Sequence, residues 1–151
     1  MTRRGLLGSV FLLLLAACTR LLPAQPVARE AVLIASGVAA LRNLLPAELA
    51  AKIDEPIAGT QAAADKLAST GTGADAQPSV REIAAALSAI EGSIGGTPLT
   101  PEARDVLRAA NVLLDLIQGL TGVAARRIVD PVVVQWARET LRRAANQQSS
   151  T

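Results

Sequence analysis

Apolar side chains recur every three or four residues along most of this chain, and this spacing restricts what it can fold into. The first stripe consists of Val27, Ala31, Ile34, Val38, Leu41 and Leu45. Similar stripes cover residues 80–94, 106–120 and 133–144. A helix has 3.6 residues per turn, so this spacing collects the apolar residues on one of its faces. The sequence therefore predicts several amphipathic helices that each bury one face.

The composition also favours helices. From Cys18 onward the chain contains 28 alanines and 16 leucines, and both residue types have high helix propensity. Runs of β-branched residues are nearly absent, the exception being residues 132–134. We expect an all-α fold, a small bundle of four to five amphipathic helices with short connections.

Helix boundaries can be predicted from capping residues, prolines and glycines. Thr100-Pro101 and Asp130-Pro131 are typical helix starts, because a polar cap is followed by a proline that suits the first turn. Ser79 and Glu82 form a potential capping box, and Pro56 should kink or split the helix that contains it. The predicted helices are 26–45, 46–69, 79–93, 101–120 and 131–146.

The N-terminal segment has the features of an export signal. Arg3 and Arg4 precede an uncharged run of 13 residues at positions 5–17. This run is too short for an ordinary transmembrane helix, which needs about 20 residues. A basic start, an apolar stretch and small residues at its end are typical of a secretory signal peptide. We therefore expect residues 1–17 to be removed.

Leu15-Ala16-Ala17-Cys18 resembles the lipobox of bacterial lipoproteins. The resemblance implies cleavage between Ala17 and Cys18 and attachment of diacylglycerol and palmitate to Cys18. In that family, aspartate after the cysteine favours retention at the inner membrane, whereas this chain has Thr19. The resemblance thus implies a cell-envelope protein on the inner leaflet of the outer membrane, facing the periplasm, if the host is Gram-negative.

These features divide the chain into four parts. A signal peptide occupies residues 1–17, and a lipidated tether occupies residues 18–25. The helical bundle domain occupies residues 26–146, and we expect residues 147–151 to be a disordered tail. No cofactor is expected other than the lipid on Cys18.

The charge balance argues against nucleic acid as a partner. The pI of 9.3 depends on the two signal-peptide arginines, because from Cys18 onward the chain has 13 basic and 13 acidic residues. Proteins that bind nucleic acid usually carry a strong basic excess. The chain also contains no histidine and one cysteine, which excludes metal sites built on these residues and histidine-based catalysis. We therefore predict neither a metal site nor catalytic residues.

Five arginines in the C-terminal part are candidate contacts to an anionic surface, such as lipid headgroups or acidic cell-wall groups. They are Arg126, Arg127, Arg138, Arg142 and Arg143. The alternative is that these arginines form an ordinary solvated face. Trp136, the only aromatic residue after the signal peptide, is expected to be in the core.

Three functional hypotheses fit this sequence. The first is a non-catalytic, lipid-anchored periplasmic protein that binds another envelope component, such as a protein partner. The second is a phage- or prophage-derived envelope lipoprotein acting in lysis or surface exclusion. The third is a carrier of an apolar ligand, which ranks last because the chain lacks the aromatic side chains that usually line such pockets.

Overall fold

A computed structural model describes residues 24–70, 75–125 and 128–150, and within these ranges the chain forms five long helices and one short helix, without strands. The helices are α1 (Ala24–Ala39), α2 (Leu41–Leu44), α3 (Ala47–Thr70), α4 (Gln77–Ile94), α5 (Pro101–Thr121) and α6 (Pro131–Gln148). The predicted all-α bundle is therefore confirmed.

Two predicted helix starts have the expected caps. The backbone N–H of Ala103 donates to the hydroxyl of Thr100 over 3.2 Å at the start of α5. The backbone N–H of Val132 donates to the carboxylate of Asp130 over 2.8 Å at the start of α6. Each cap satisfies one of the backbone donors that a helix start leaves without an intrahelical partner.

The predicted capping box at Ser79 is wrong. Helix α4 begins earlier, at Gln77, and the preceding Ala76 provides no side-chain cap. Ser79 is instead inside the first turn and buried. Pro78 explains the shift, because proline is favoured at the first positions of a helix, where its missing N–H is not needed.

Other features also differ from expectation, beginning with the predicted helix 26–45, which is divided into α1 and α2 after Ala39. Helix α3 continues through Pro56 without being split, and the Thr60 hydroxyl donates to the Pro56 carbonyl over 3.0 Å. Helix α1 begins at Ala24, within the predicted tether. Helix α6 extends to Gln148, so two residues of the predicted disordered tail are helical. Glutamine propagates a helix well, and residues 147 and 148 are both glutamine.

Helix α1 contacts α3 of the antiparallel pair α3–α4 and both helices of the antiparallel pair α5–α6, and α4 also packs directly on α5. Helix α1 runs parallel to α6, since Glu30 pairs with Arg138 and Gly37 faces Leu141. The two helices therefore begin at the same end of the bundle. A side chain at Gly37 would place its Cβ 2.4 Å from Leu141 Cδ2, so glycine is what lets the two helices approach here.

The buried apolar residues form one core shared by all six helices. Most of the predicted stripes face it, including Ile34, Ile90 and Leu113, each fully or almost fully buried. Leu120 and Val133 were expected to face inward, but their exposed fractions are 44% and 38%. Both lie near a helix end, where fewer neighbouring helices are available to cover a side chain.

The predicted signal peptide, Ala17, Cys18 and most of the predicted tether lie outside the described residues. Within the part of the chain that is described, no helix is both long and apolar enough to cross a bilayer.

Candidate binding site between α1 and α6

An ion pair between Glu30 and Arg138 joins α1 to α6. Arg138 donates from Nε and Nη2 to the same oxygen of Glu30, Oε1, over 2.8 Å and 2.5 Å. The side chain of Glu30 is 8% exposed and that of Arg138 is 33% exposed. A buried carboxylate without a partner is strongly unfavourable, so Arg138 is what makes a charged residue acceptable at this position.

The second carboxylate oxygen of Glu30 is not satisfied by the protein. Glu30 Oε2 is buried and has no hydrogen-bond partner among the described residues. Buried polar atoms in folded proteins are nearly always hydrogen-bonded to protein or to ordered water. Glu30 therefore combines one strong ionic contact with one unused acceptor.

An open pocket of about 310 Å³ lies beside this pair. Its other lining residues are Pro26, Arg29 and Leu33 on α1 and Gln135 and Arg142 on α6. Arg29 and Arg142 are exposed, and neither forms an ion pair or side-chain hydrogen bond with a described residue. We call this feature the α1–α6 pocket.

The charges lining the α1–α6 pocket favour an anion. Three guanidinium groups and one carboxylate line it, which gives a net charge of +2. Arg138 is held by Glu30, whereas Arg29 and Arg142, which have no ionic partner among the described residues, lie on different helices. Guanidinium groups donate several hydrogen bonds in a fixed plane, a geometry suited to phosphate and carboxylate groups.

The five predicted arginines do not form one surface. Arg138 and Arg142 meet in the α1–α6 pocket, whereas Arg126 and Arg127 lie outside the described residues. Arg138 is not simply part of a solvated face, because its guanidinium turns towards Glu30. The direction of the Arg138 side chain depends on tertiary structure, because the buried carboxylate of Glu30 lies 108 residues away in sequence.

Arg143 lines a different pocket, of about 120 Å³, between α5 and α6. Glu102 and Asp105 line it as well, and these carboxylates reduce the attraction of an anion to Arg143. Trp136 also lines this pocket and is only partly buried. The expectation of a core tryptophan is confirmed only in part: Trp136 packs against the core, but it is only half-buried and the Arg108 guanidinium lies over its ring, 5.7 Å from the centroid, a cation–π geometry.

Sequence reasoning missed Arg29 and Glu30. Glu30 could have been found, because it follows Val27 by three residues and precedes Ile34 by four. This spacing places an ionisable residue on the apolar face of α1. Such a residue needs a partner from another helix, although the spacing does not identify which one.

No group of three or more potential metal-binding side chains occurs in the described ranges. A comparison with known protein families, curated proteins and solved structures finds no match to this chain. The α1–α6 pocket and the sequence of the N-terminal segment are therefore the features of this chain that point to a function.

Proposed function

We propose that this protein is a non-catalytic, lipid-anchored binding protein of the cell envelope, and that the α1–α6 pocket is part of its binding surface. The observation that carries the proposal is the pair of exposed arginines, Arg29 and Arg142, which have no ionic partner in the described ranges and lie beside a buried ion pair. The ion pair fixes the two helices relative to each other, and the arginines supply free hydrogen-bond donors. This arrangement suits recognition of a partner with an anionic group.

The N-terminal segment supports membrane attachment. The lipobox-like residues Leu15–Cys18 would place two or more acyl chains on Cys18, which is enough for stable anchoring, whereas one chain is not. Cys18 precedes Ala24, where the described part of α1 begins, by six positions. An extended chain spans at most about 3.6 Å per residue, so the start of α1 would stay within roughly 20 Å of the membrane surface.

Lipid attachment is tested by metabolic labelling with a palmitate analogue. Cys18→Ala should abolish incorporation, because the thiol is the acylation site in this proposal. A suitable control is Thr19→Ala, which leaves the cysteine in place and should be labelled normally. Equal labelling of Cys18→Ala and the unaltered protein would rule out the anchor.

Partner binding is tested by photo-cross-linking in cells from position 135. Gln135 lines the α1–α6 pocket and is exposed, so a photoreactive residue there should cross-link to a discrete envelope component. Ala58, an exposed residue on α3, provides the control position and should give no such product. Identical patterns from both positions, or no product from position 135, would contradict a binding role for this face.

A further inference from the structure

We propose that the α1–α6 pocket binds a phosphate group, and this inference rests on the proposed binding function of that face. Arg29 and Arg142 would each donate to the phosphate oxygens from opposite helices. Arg138 would contribute a third guanidinium, already oriented by Glu30. A phosphate monoester or diester could come from a phospholipid headgroup or from a soluble phosphate compound, and the chemistry of recognition is the same for both.

Several guanidinium donors line the pocket. Arg138 uses Nε and Nη2 to contact Glu30, which leaves Nη1 without a protein acceptor among the described residues. Arg29 and Arg142 make no ion pair with a described residue. A tetrahedral phosphate can accept from several directions at once, whereas a planar carboxylate accepts mainly in one plane. Three guanidinium groups from two helices therefore suit phosphate better.

Glu30 controls both the position of Arg138 and the net charge of the pocket. Its carboxylate is almost fully buried and holds the Arg138 side chain in one position. It also lowers the net charge of the pocket from +3 to +2. Glu30 orients Arg138, and a glutamine at position 30 would keep an oxygen acceptor for that contact while removing the negative charge that repels an anion. Removing that charge should strengthen phosphate binding in a folded protein, an effect that a loss of structure would not produce.

The location of the pocket also favours a phosphate ligand. The pocket residues on α1, from Pro26 to Leu33, lie within the first ten residues of that helix. The tether proposed above attaches to the same end of the bundle. The pocket would consequently lie near the headgroup layer, where phosphate is the most abundant anion. A soluble phosphate compound remains the other source of the same group.

The experiment is calorimetric titration of the purified, lipidated protein in detergent and a buffer without phosphate. Dihexanoyl phosphatidylglycerol, below the concentration at which it forms micelles, represents the lipid source. Glycerol phosphate and inorganic phosphate represent the soluble source. Tighter binding of the short-chain lipid by tenfold or more would support a phospholipid ligand, and equal or tighter binding of glycerol phosphate would support a soluble one. Absence of binding for all three at 10 mM would overturn the proposal.

Variants establish whether the site is the α1–α6 pocket. Arg29→Gln and Arg142→Gln should each weaken binding by about tenfold, the loss expected for one charge-assisted contact. Arg81→Gln is the matched control, because Arg81 is an exposed arginine on α4, and it should leave binding unchanged. An equal loss in Arg81→Gln would mean that binding reflects overall charge, which also overturns the proposal.

Glu30→Gln should change the affinity for phosphate in the opposite direction. This variant retains the shape of the side chain and removes the negative charge, so we expect severalfold tighter phosphate binding, with the helix content checked by circular dichroism. Weaker binding by a fully helical Glu30→Gln protein would contradict the assigned role of Glu30. The proposed function is tested separately: cross-linking from position 135 could still identify a partner if no phosphate compound binds.

Discussion

Glu30 and Arg138 form one ion pair but are not equally buried, and this difference has consequences for stability. The exposed fraction is 8% for the Glu30 side chain and 33% for that of Arg138. If Glu30 is removed, Arg138 can turn its charged end towards water while its methylene groups stay packed. If Arg138 is removed, the carboxylate stays buried without a partner.

We therefore predict that Arg138→Met is more destabilising than Glu30→Leu. Leaving a buried charge unpaired costs about 3 kcal/mol of unfolding free energy, whereas replacing Glu30 by a similar-sized apolar residue should cost less than about 1 kcal/mol, since burying the side chain then involves no charge. Urea unfolding monitored by circular dichroism measures the free energy of unfolding of both variants. Equal losses in the two variants would indicate that the carboxylate is solvated in the folded protein.

The cap of α5 is a second feature at the scale of one residue. Thr100 accepts a hydrogen bond from the Ala103 N–H, so Thr100→Ala should lower the free energy of unfolding by about 1 kcal/mol. Thr100→Ser retains the hydroxyl and should leave stability nearly unchanged, which makes it the control in the same urea experiment. If Thr100→Ser is as destabilising as Thr100→Ala, the threonine methyl group rather than the cap is responsible.

At the scale of the helices, Gly37 and Gly59 provide a matched comparison. Both are inside helices, where alanine is normally preferred over glycine by about 0.5–1 kcal/mol. A Cβ at Gly59 would meet nothing within 4 Å, whereas a Cβ at Gly37 would lie 2.4 Å from Leu141 Cδ2 and 2.9 Å from its Cβ. The two substitutions should therefore change stability in opposite directions.

We expect Gly59→Ala to raise the free energy of unfolding by about 0.5–1 kcal/mol. Gly37→Ala should lower it by about 1–2 kcal/mol, because forcing α1 away from α6 costs more than the gain in helix propensity. Thermal and urea unfolding measure the change in stability for both variants. A stabilised Gly37→Ala protein would show that the two helices can separate at this point without loss of packing.

The helix starts and the contacts between helices show how far the sequence could predict the fold. Helix starts at Thr100 and Asp130 were predictable, because a cap and its partner are two or three residues apart. The stripe on α1 was predictable for the same local reason. The contact between Gly37 and Leu141 was not, because it depends on which two helices become neighbours, and helix periodicity contains no information about that choice.

The same limit applies to the binding site at the scale of the whole molecule. The sequence identified Arg138 and Arg142 as candidates, but it grouped them with Arg143. Arg142 and Arg143 are adjacent in sequence and line different pockets, since consecutive residues on a helix point about 100° apart. Arg29 joins the site only because α1 and α6 run side by side.

Because α1 contacts both helix pairs, its packing predicts how the whole domain unfolds. Helix α1 packs on α3 in one antiparallel pair and on α5 and α6 in the other, and the buried residues of all these helices form one core. Neither pair can unfold without exposing the apolar face of α1 to water. A single domain with one core of this kind should unfold in one cooperative step.

Trp136 allows this to be tested, because it is the only tryptophan and the chain has no tyrosine. Its fluorescence reports on the contact between α5 and α6, where Arg108 lies over the ring, whereas circular dichroism reports on all helices. We predict that the two signals give the same urea midpoint, as they must if α1 couples the two pairs. A fluorescence midpoint that is lower or higher than the dichroism midpoint would mean that α5 and α6 unfold separately from α3 and α4. If the fluorescence midpoint is lower, α1 packs more strongly on α3 than on α5 and α6. If it is higher, α1 packs more strongly on α5 and α6.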